Sequence, residues 1–244
     1  MAMYFTTDTH FGHPLVSALR GFIADADIKA GFDHAVAEQG IAAAAQYVKR
    51  AANKRHLRMA DIADTDAHDT AVIASINATL TPADELWIMG DVGYRTSMEH
   101  IRHCLHAIHA RRLHLVVGNH DVNFHHRELD GEWHHAFATI QDSATVTIGG
   151  VEYHLSHFPY REDMDGFRDP TGDVSDNAYD PGYAPDALPR DGHRLLFGHT
   201  HQHTKAGRQT DSLHVGLDSW GLKPVSEEQV AAWFGAVPPS PVAA

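Results

Sequence analysis

The sequence predicts an α/β fold built on mixed β-sheets, and three observations carry that expectation. Apolar runs of strand length recur, each followed at once by polar, glycine-rich residues: MYFTTDTH, ELWIMGDV, LHLVVGNHD, YHLSHFP, RLLFGHTH and LHVGLD. Runs such as Leu113 to Val117 are apolar without strict alternation, the pattern of strands covered on both faces. Helical periodicity fills the intervals, while TVTIGGVEYHL reads as a hairpin turning on Gly149-Gly150, which accept the positive φ of a two-residue turn. A hairpin beside covered runs makes the sheets mixed.

The first strand begins almost at Met1. Residues 24–64 are Ala-rich and helical in character, an insertion carrying Lys49, Arg50, Lys54, Arg55 and Arg58 in an otherwise acidic chain. Arg50, Lys54 and Arg58 fall at i, i+4 and i+8, one face of a helix, which serves either as a solvated face or as a phosphate-attracting rim. Val72, Ile73, Ile76 and Leu80 mark a helix after Asp69, closed by Thr81-Pro82 before the strand at Leu86. Ile101, Cys104, Leu105 and Ile108 form the apolar face of another, with His100, His103, His106 and His109 on its solvated side and Cys104 as an inert core thiol. His125, His126, His134, His135, His203 and His214 read as surface residues. Residues 161–193, crowded with Asp, Pro and Gly, form a loop insertion long enough to be a lid, and their Asp spacing does not match a calcium loop. Ser226 with Gln229 is a capping box opening the helix EEQVAAWF. The Pro-rich end, 235–244, is a flexible tail.

Composition narrows the function classes. A chain of 244 residues fits a single domain over 1–234 with those two insertions. No apolar stretch approaches the ~20 residues of a membrane span, no secretory signal opens the chain, and a single cysteine excludes a disulfide framework, so the expected location is the cytoplasm. A formal net charge of -13 lacks the basic footprint of a protein that coats nucleic acid. The 22 histidines are the compositional excess to be sorted.

Asp8, His10, Asp91, Asn119, His120, His157, His199 and His201 lie just past the carboxyl ends of predicted strands, the edge where layered α/β folds bind ligands. Without His120, the set offers carboxylate, amide and imidazole donors and no thiolate, which suits Mn, Fe, Zn or Ni rather than a cysteine-rich structural zinc. Seven ligands exceed the needs of one ion. Two ions sharing a carboxylate account for the number, and ions ~3.5–4 Å apart serve in-line displacement at phosphorus. Gly90, Gly118 and Gly198 each precede a ligand, where a missing Cβ lets the strand end turn sharply.

The ordered series Asp-x-His (8–10), Gly-Asp (90–91), Gly-Asn-His-Asp (118–121), His157 and Gly-His-Thr-His (198–201) resembles the calcineurin-like metallophosphoesterase superfamily over residues 4 to about 220. DTHFGH, LSHFPY and VGLDSWGLKPVS further resemble its small bacterial- and phage-type phosphoesterases. The resemblance implies a four-layer α/β/β/α sandwich with a dinuclear site at the strand-end edge. It assigns Asp8, His10 and His201 to one metal, Asn119, His157 and His199 to the other, Asp91 to the bridge, and His120 to catalysis near the leaving oxygen. Manganese heads the expected ions. His13 is read as a second-layer residue or a substrate contact, and Arg95 as a phosphate contact, since it stands where the superfamily's protein phosphatases carry a phosphate-binding arginine. Tyr94 and Thr96 break the flanking pattern of those phosphatases, and GNHD replaces their GNHE, which disfavours that activity.

The expected reaction is metal-dependent phosphodiester hydrolysis on a nucleotide or nucleic-acid type substrate, by in-line attack of a hydroxide shared between the ions. A phosphomonoesterase and a nuclease are the alternatives within the superfamily. A noncatalytic metal-binding scaffold is the alternative of another class, and the completeness of the ligand set counts against it. No feature points to a protein partner.

Overall fold

The computed structural model describes residues 1–121, 131–164 and 185–236. Two mixed sheets dominate it. In the first, β1 (Met3–Thr6), β2 (Glu85–Ile88), β3 (Arg112–Val116) and β4 (Thr139–Gln141) run parallel in the order β4-β3-β2-β1, and β9 (Val225–Ser226) closes antiparallel against β1. The second has the order β5 (Ser143–Ile148), β6 (Val151–Ser156), β7 (Arg194–Phe197), β8 (Ser212–His214), with β5 and β6 antiparallel and the rest parallel. All six predicted runs form strands. The β5–β6 hairpin turns on Gly149 and Gly150, both at positive φ. β4 and β9 escape the sequence reading because three and two residues are too few to show a period.

Pleating sends alternate side chains of the first sheet into two cores. Leu86 and Ile88 of β2 pack with Leu113 and Leu115 of β3 against Val72 and Ile76 of α5 (Thr65–Thr79) and Ile101, Cys104 and Leu105 of α6 (Met98–His106). Phe5, Val116 and Val225 face the other way and meet Val146, Tyr153, Leu155, Leu196 and Leu213 of the second sheet. Each such side chain contributes roughly 1.5–3 kcal/mol by leaving water. The C-terminal helix α8 (Glu227–Ala236), opened by the predicted reciprocal bonds between Ser226 and Gln229, adds Val230 and Phe234 to this inter-sheet core. Residues 235 and 236 thus belong to the helix, and the rest of the expected tail lies outside the described residues.

The outer face of the second sheet, where the four-layer expectation places helices, is described only in part. Leu195 and Phe197 pack there against Tyr160 and the partly buried Leu188. The helix nearby among the described residues, α7 (Arg161–Met164), is one turn long. Most of the expected loop insertion, 165–184, lies outside the described residues, as do His125 and His126.

Residues 14–62 form a helical annex: α1 (Pro14–Leu19), α2 (Ala26–Gln39), α3 (Ile41–Lys54) and α4 (Met59–Ile62), with a core of Ile28, Phe32, Val48, Ala52 and Ile62. The three-residue basic stripe does not exist. α3 ends at Lys54, Arg55 turns back to pair with Asp25 at 2.8 Å, and Arg58 sits ahead of α4, paired with Asp61 at 2.7 Å. Local carboxylates therefore neutralise Arg58 of the stripe and its neighbour Arg55. No helix among the described residues is long and apolar enough to cross a membrane.

Candidate metal centre

The loops after β1, β2, β3, β6 and β7 converge at one edge, and the seven predicted ligands converge with them. Backbone bonds stitch the first two loops: Asp8 N donates to Gly90 O, His10 N to Asp91 O and Phe11 N to Val92 O, at 2.8–3.0 Å. Of the glycines expected to make sharp turns, Gly90 does so at φ 89°, and glycine has a second job here. A Cβ on Gly118 would lie 2.5 Å from Asp91 N, and one on Gly90 2.6 Å from Gly118 Cα, so these two positions let strand ends pass in contact. Sharp turns fall on the ligands as well: Asp8, His10, Asp91, His199 and His201 all have φ between 47° and 69°. Left-handed backbone costs a non-glycine residue on the order of 1–3 kcal/mol and clusters where side chains must be aimed at a common point.

The donors form two groups able to hold a metal ion. In the first, His10 Nε2 and His201 Nε2 are 3.0 Å apart, and Asp8 Oδ1 lies 3.8 and 3.5 Å from them. In the second, His157 Nε2 lies 2.9 Å from Asn119 Oδ1 and 3.2 Å from His199 Nδ1. Asp91 faces both, with Oδ2 3.6 Å from His10 Nε2 and Oδ1 3.6 Å from His157 Nε2. Ligands ~2.1 Å from a shared ion are roughly 3.0–3.4 Å from one another, close to these separations. Asp8 Oδ1 is buried with no hydrogen-bond donor, a costly state for a carboxylate that a cation would relieve.

The outward nitrogens fix which atom faces inward. His157 Nδ1 lies 2.9 Å from the carbonyl of Met89, which can only accept, so the proton sits on Nδ1 and Nε2 offers its lone pair to the site. His201 Nδ1 is held in the same way by Asp218 Oδ2 at 3.0 Å. Asp218 is clamped by Arg20, whose Nε and Nη2 reach its two oxygens at 2.7 and 2.8 Å, while Nη2 also donates to Asp8 O at 2.9 Å. Arg20 continues to His68, His68 to Asp69, and Asp69 accepts from Gly12 N and from His100. His100 is therefore half-buried and anchored to Asp69, unlike the exposed His103, His106 and His109. Cys104 is buried, with its thiol pushed up to about 12 by burial and then by Asp69, in keeping with an inert role.

Sequence reading missed Arg20, His68, Asp69, Asp121 and Asp218. Asp121 lay within the quoted Gly-Asn-His-Asp run; its carboxylate accepts from the backbone of Gly118, Asp91 and Val92 and so sets the loops after β2 and β3. His214 was expected at the surface but is fully buried, bonded to Ser219 Oγ at 2.9 Å. His134 and His135 are exposed as expected.

Charge is unevenly spread in the metal-free site. Burial, then the neighbouring Asp8 and Asp121, push Asp91 up to about 7 against the pull of His157. Asp8 titrates below its ordinary value: burial opposes this, but His201 and His157 outweigh it. Burial and surrounding imidazoles hold His10 and His199 neutral, well below their usual range.

His13 and His120 stand beside these groups. The His120 ring lies over Tyr94 with centroids 3.9 Å apart, and Tyr94 also meets His13 edge-on at 5.1 Å. His120 Nε2 is 3.9 Å from Asp91 Oδ2, too far for a hydrogen bond, and its side chain is 28% exposed, which puts it at the mouth of the site. Burial and then His157 lower its pKa to about 4. Arg95 is exposed, its guanidinium 5.2 Å from the Tyr94 ring centre, on the same wall as His13 and His120.

No protein-family model matches the chain. In sequence it is similar to the Gene 66 protein of Mycobacterium phage L5, 27% identical over 194 residues that span 73% of this chain and 86% of the phage protein. Its fold is similar to the crystal structure of a protein of unknown function from Aquifex aeolicus, with a TM-score of 0.54 and 19% identity over 95% of this chain and 98% of that one. This chain is thus an α/β protein sharing the Aquifex fold, whose strand-end loops gather two groups of side chains able to hold metal ions.

Proposed function

We propose that the chain is a dinuclear metal-dependent phosphoesterase of the calcineurin-like type, hydrolysing phosphodiester bonds of a nucleotide or nucleic-acid type substrate in the cytoplasm. One observation carries the reading: two convergent donor groups share Asp91 through its two separate oxygens. That is the arrangement expected of a carboxylate bridging a pair of ions. Manganese leads the candidate ions, with Fe, Zn and Ni also matching the nitrogen and oxygen donors.

When bound, the two ions supply Lewis acidity and a water acidified toward neutrality. The chain supplies the rest. Asp8, His10 and His201 hold one position, Asn119, His157 and His199 the other, with Asp91 between them, and left-handed backbone at five of these seven residues aims them before any ligand arrives. His120, neutral at pH 7 and seated against Tyr94, offers a ring N–H to the departing oxygen from the open side of the site. His13 and Tyr94 form a wall beside it, and Arg95 on that wall meets the substrate's phosphate or its leaving portion. The loss of the basic stripe in the annex weakens the nuclease alternative, which drew on it.

The test compares bis(p-nitrophenyl) phosphate with p-nitrophenyl phosphate as substrates for metal-stripped protein resupplied with Mn²⁺. Diester turnover should need the metal, and His120→Ala should lower it by about 10²–10⁴-fold with metal binding unchanged. Monoester turnover alone would move the assignment to a phosphomonoesterase. Absence of either activity with two ions bound would refute the hydrolase for these bonds and favour the scaffold.

A further inference from the structure

A separate assembly of metal-ligating side chains lies away from the strand-end edge. His154 sits in β6 between Tyr153 and Leu155, which point into the inter-sheet core, so its imidazole stands on the outer face of the second sheet. His154 Nε2 is 2.9 Å from Asp191 Oδ2. His193, immediately before β7, brings Nδ1 to 3.0 Å from the other oxygen, Oδ1. The two imidazole centres are 4.4 Å apart. One carboxylate thus presents each oxygen to a different imidazole nitrogen.

Three details bear on what this hydrogen-bonded trio could hold. Thr145, the cross-strand partner of His154, holds Oγ1 3.1 Å from His154 Nδ1, so the nitrogen turned away from Asp191 is engaged, as it is in His157 and His201. The hydroxyl can accept from Nδ1–H, and in that tautomer Nε2 presents a lone pair to an ion in place of its bond to Asp191. His193 Nδ1 is buried without a hydrogen-bond partner although it lies 3.0 Å from Asp191 Oδ1, an oxygen that accepts instead from the backbone N–H of His193 at 3.0 Å. Finally, separations of about 3.0 Å match two ligands at right angles around an ion ~2.1 Å from each. Glu152 Oε2, 3.8 Å from His193 Nε2, adds negative charge at the rim.

We propose that His154, Asp191 and His193 form a further binding site for a divalent transition ion of the zinc or nickel class. Two imidazoles and a carboxylate favour such borderline ions over magnesium or calcium, which take oxygen ligands. An ion bound there fastens the turn ahead of β7 to β6, clipping the outer face of the second sheet.

The test titrates the metal-stripped full chain with Zn²⁺, and separately with Ni²⁺, and counts bound equivalents in wild type and in the His154→Ala/His193→Ala double variant. Histidine side chains 18% and 40% exposed can be replaced without opening the core, and circular dichroism checks that the fold persists. The variant should lose one equivalent and keep the others at unchanged affinity. Because the readout is this difference, it stands whether or not the strand-end groups fill. Thr145→Val, which removes no ligand, should weaken the same equivalent by about 10–100-fold. Equal counts in wild type and double variant, or no change on Thr145→Val together with such equality, would overturn the site.

Discussion

Replacing Asp218 by Asn tests whether the layer behind the ligands controls one metal position selectively. Asp218 touches no substrate and is not among the proposed ligands. Its Oδ2 holds His201 Nδ1 at 3.0 Å, and both its oxygens are clamped by Arg20. Burial opposes ionisation, yet Arg20 and His201 hold the carboxyl well below the usual range, so it is a fixed negative charge at neutral pH. Asn keeps the shape and one acceptor oxygen while removing that charge. Loss of an outer-layer partner of a metal-binding histidine typically weakens affinity by 10–100-fold, which is about 1.4–2.7 kcal/mol. One of the two bonds from Arg20 is lost, because the Asn amide nitrogen cannot accept, and the other passes to a neutral acceptor, so unfolding stability should fall on the order of 1–3 kcal/mol.

The assay is calorimetric titration of stripped protein with Mn²⁺ or Zn²⁺, read alongside the ring resonances of ¹⁵N-histidine-labelled protein. In the variant, the transition that shifts His10 and His201 should move to higher metal concentration, and the one that shifts His157 and His199 should stay in place. Equal weakening of both transitions would mean that Asp218 acts through general stability alone. An unchanged first transition would show that His201 orientation does not depend on this carboxylate. Either result refutes the reasoning.

Two further outcomes are expected. Asp91→Ala should lower occupancy at both positions, since its two oxygens face different donor groups; a full two-ion complement by elemental analysis would exclude the bridge. His214 gives a pH dependence: burial, partly offset by Asp8 and Asp218, lowers its folded pKa to about 4 from 6.5. The unfolded chain then binds more protons between those values, so this contribution is fully present above pH 6.5 and declines as the pH falls toward 4. The most it can remove is roughly 3 kcal/mol, from 1.36 kcal/mol per unit. Denaturant unfolding of wild type and His214→Asn across that window should diverge in slope, and parallel curves would remove His214 from the account.

The strands and the proposed ligands were legible in the sequence for the same reason: both are local. Each run such as RLLFGHTH holds a buried strand and the residues that emerge from it within eight positions, so the order of motifs alone predicts that Asp8, Asp91, Asn119, His157 and His199 share an edge. The residues that orient those ligands were not legible, because their meaning depends on partners far away in the chain. Arg20 and Asp218 are 198 positions apart and lie in segments with no distinctive spacing. His100 misled in the opposite direction: helical periodicity places it on the polar side of α6, and only the packing of α5 brings Asp69 to within 2.6 Å of it. The basic stripe failed at a single point, since i, i+4, i+8 holds only while the helix continues, and α3 stops at Lys54.

The sequence by itself thus determined which side chains emerge from strand ends, because strand period and adjacent glycines are written in neighbouring residues. Tertiary structure decided which nitrogen of each histidine faces inward, which carboxylates are clamped, and how His154 and Asp191 come to share a corner. Hydrogen-bond direction is a property of atoms brought together from distant parts of the chain, and no local pattern encodes it.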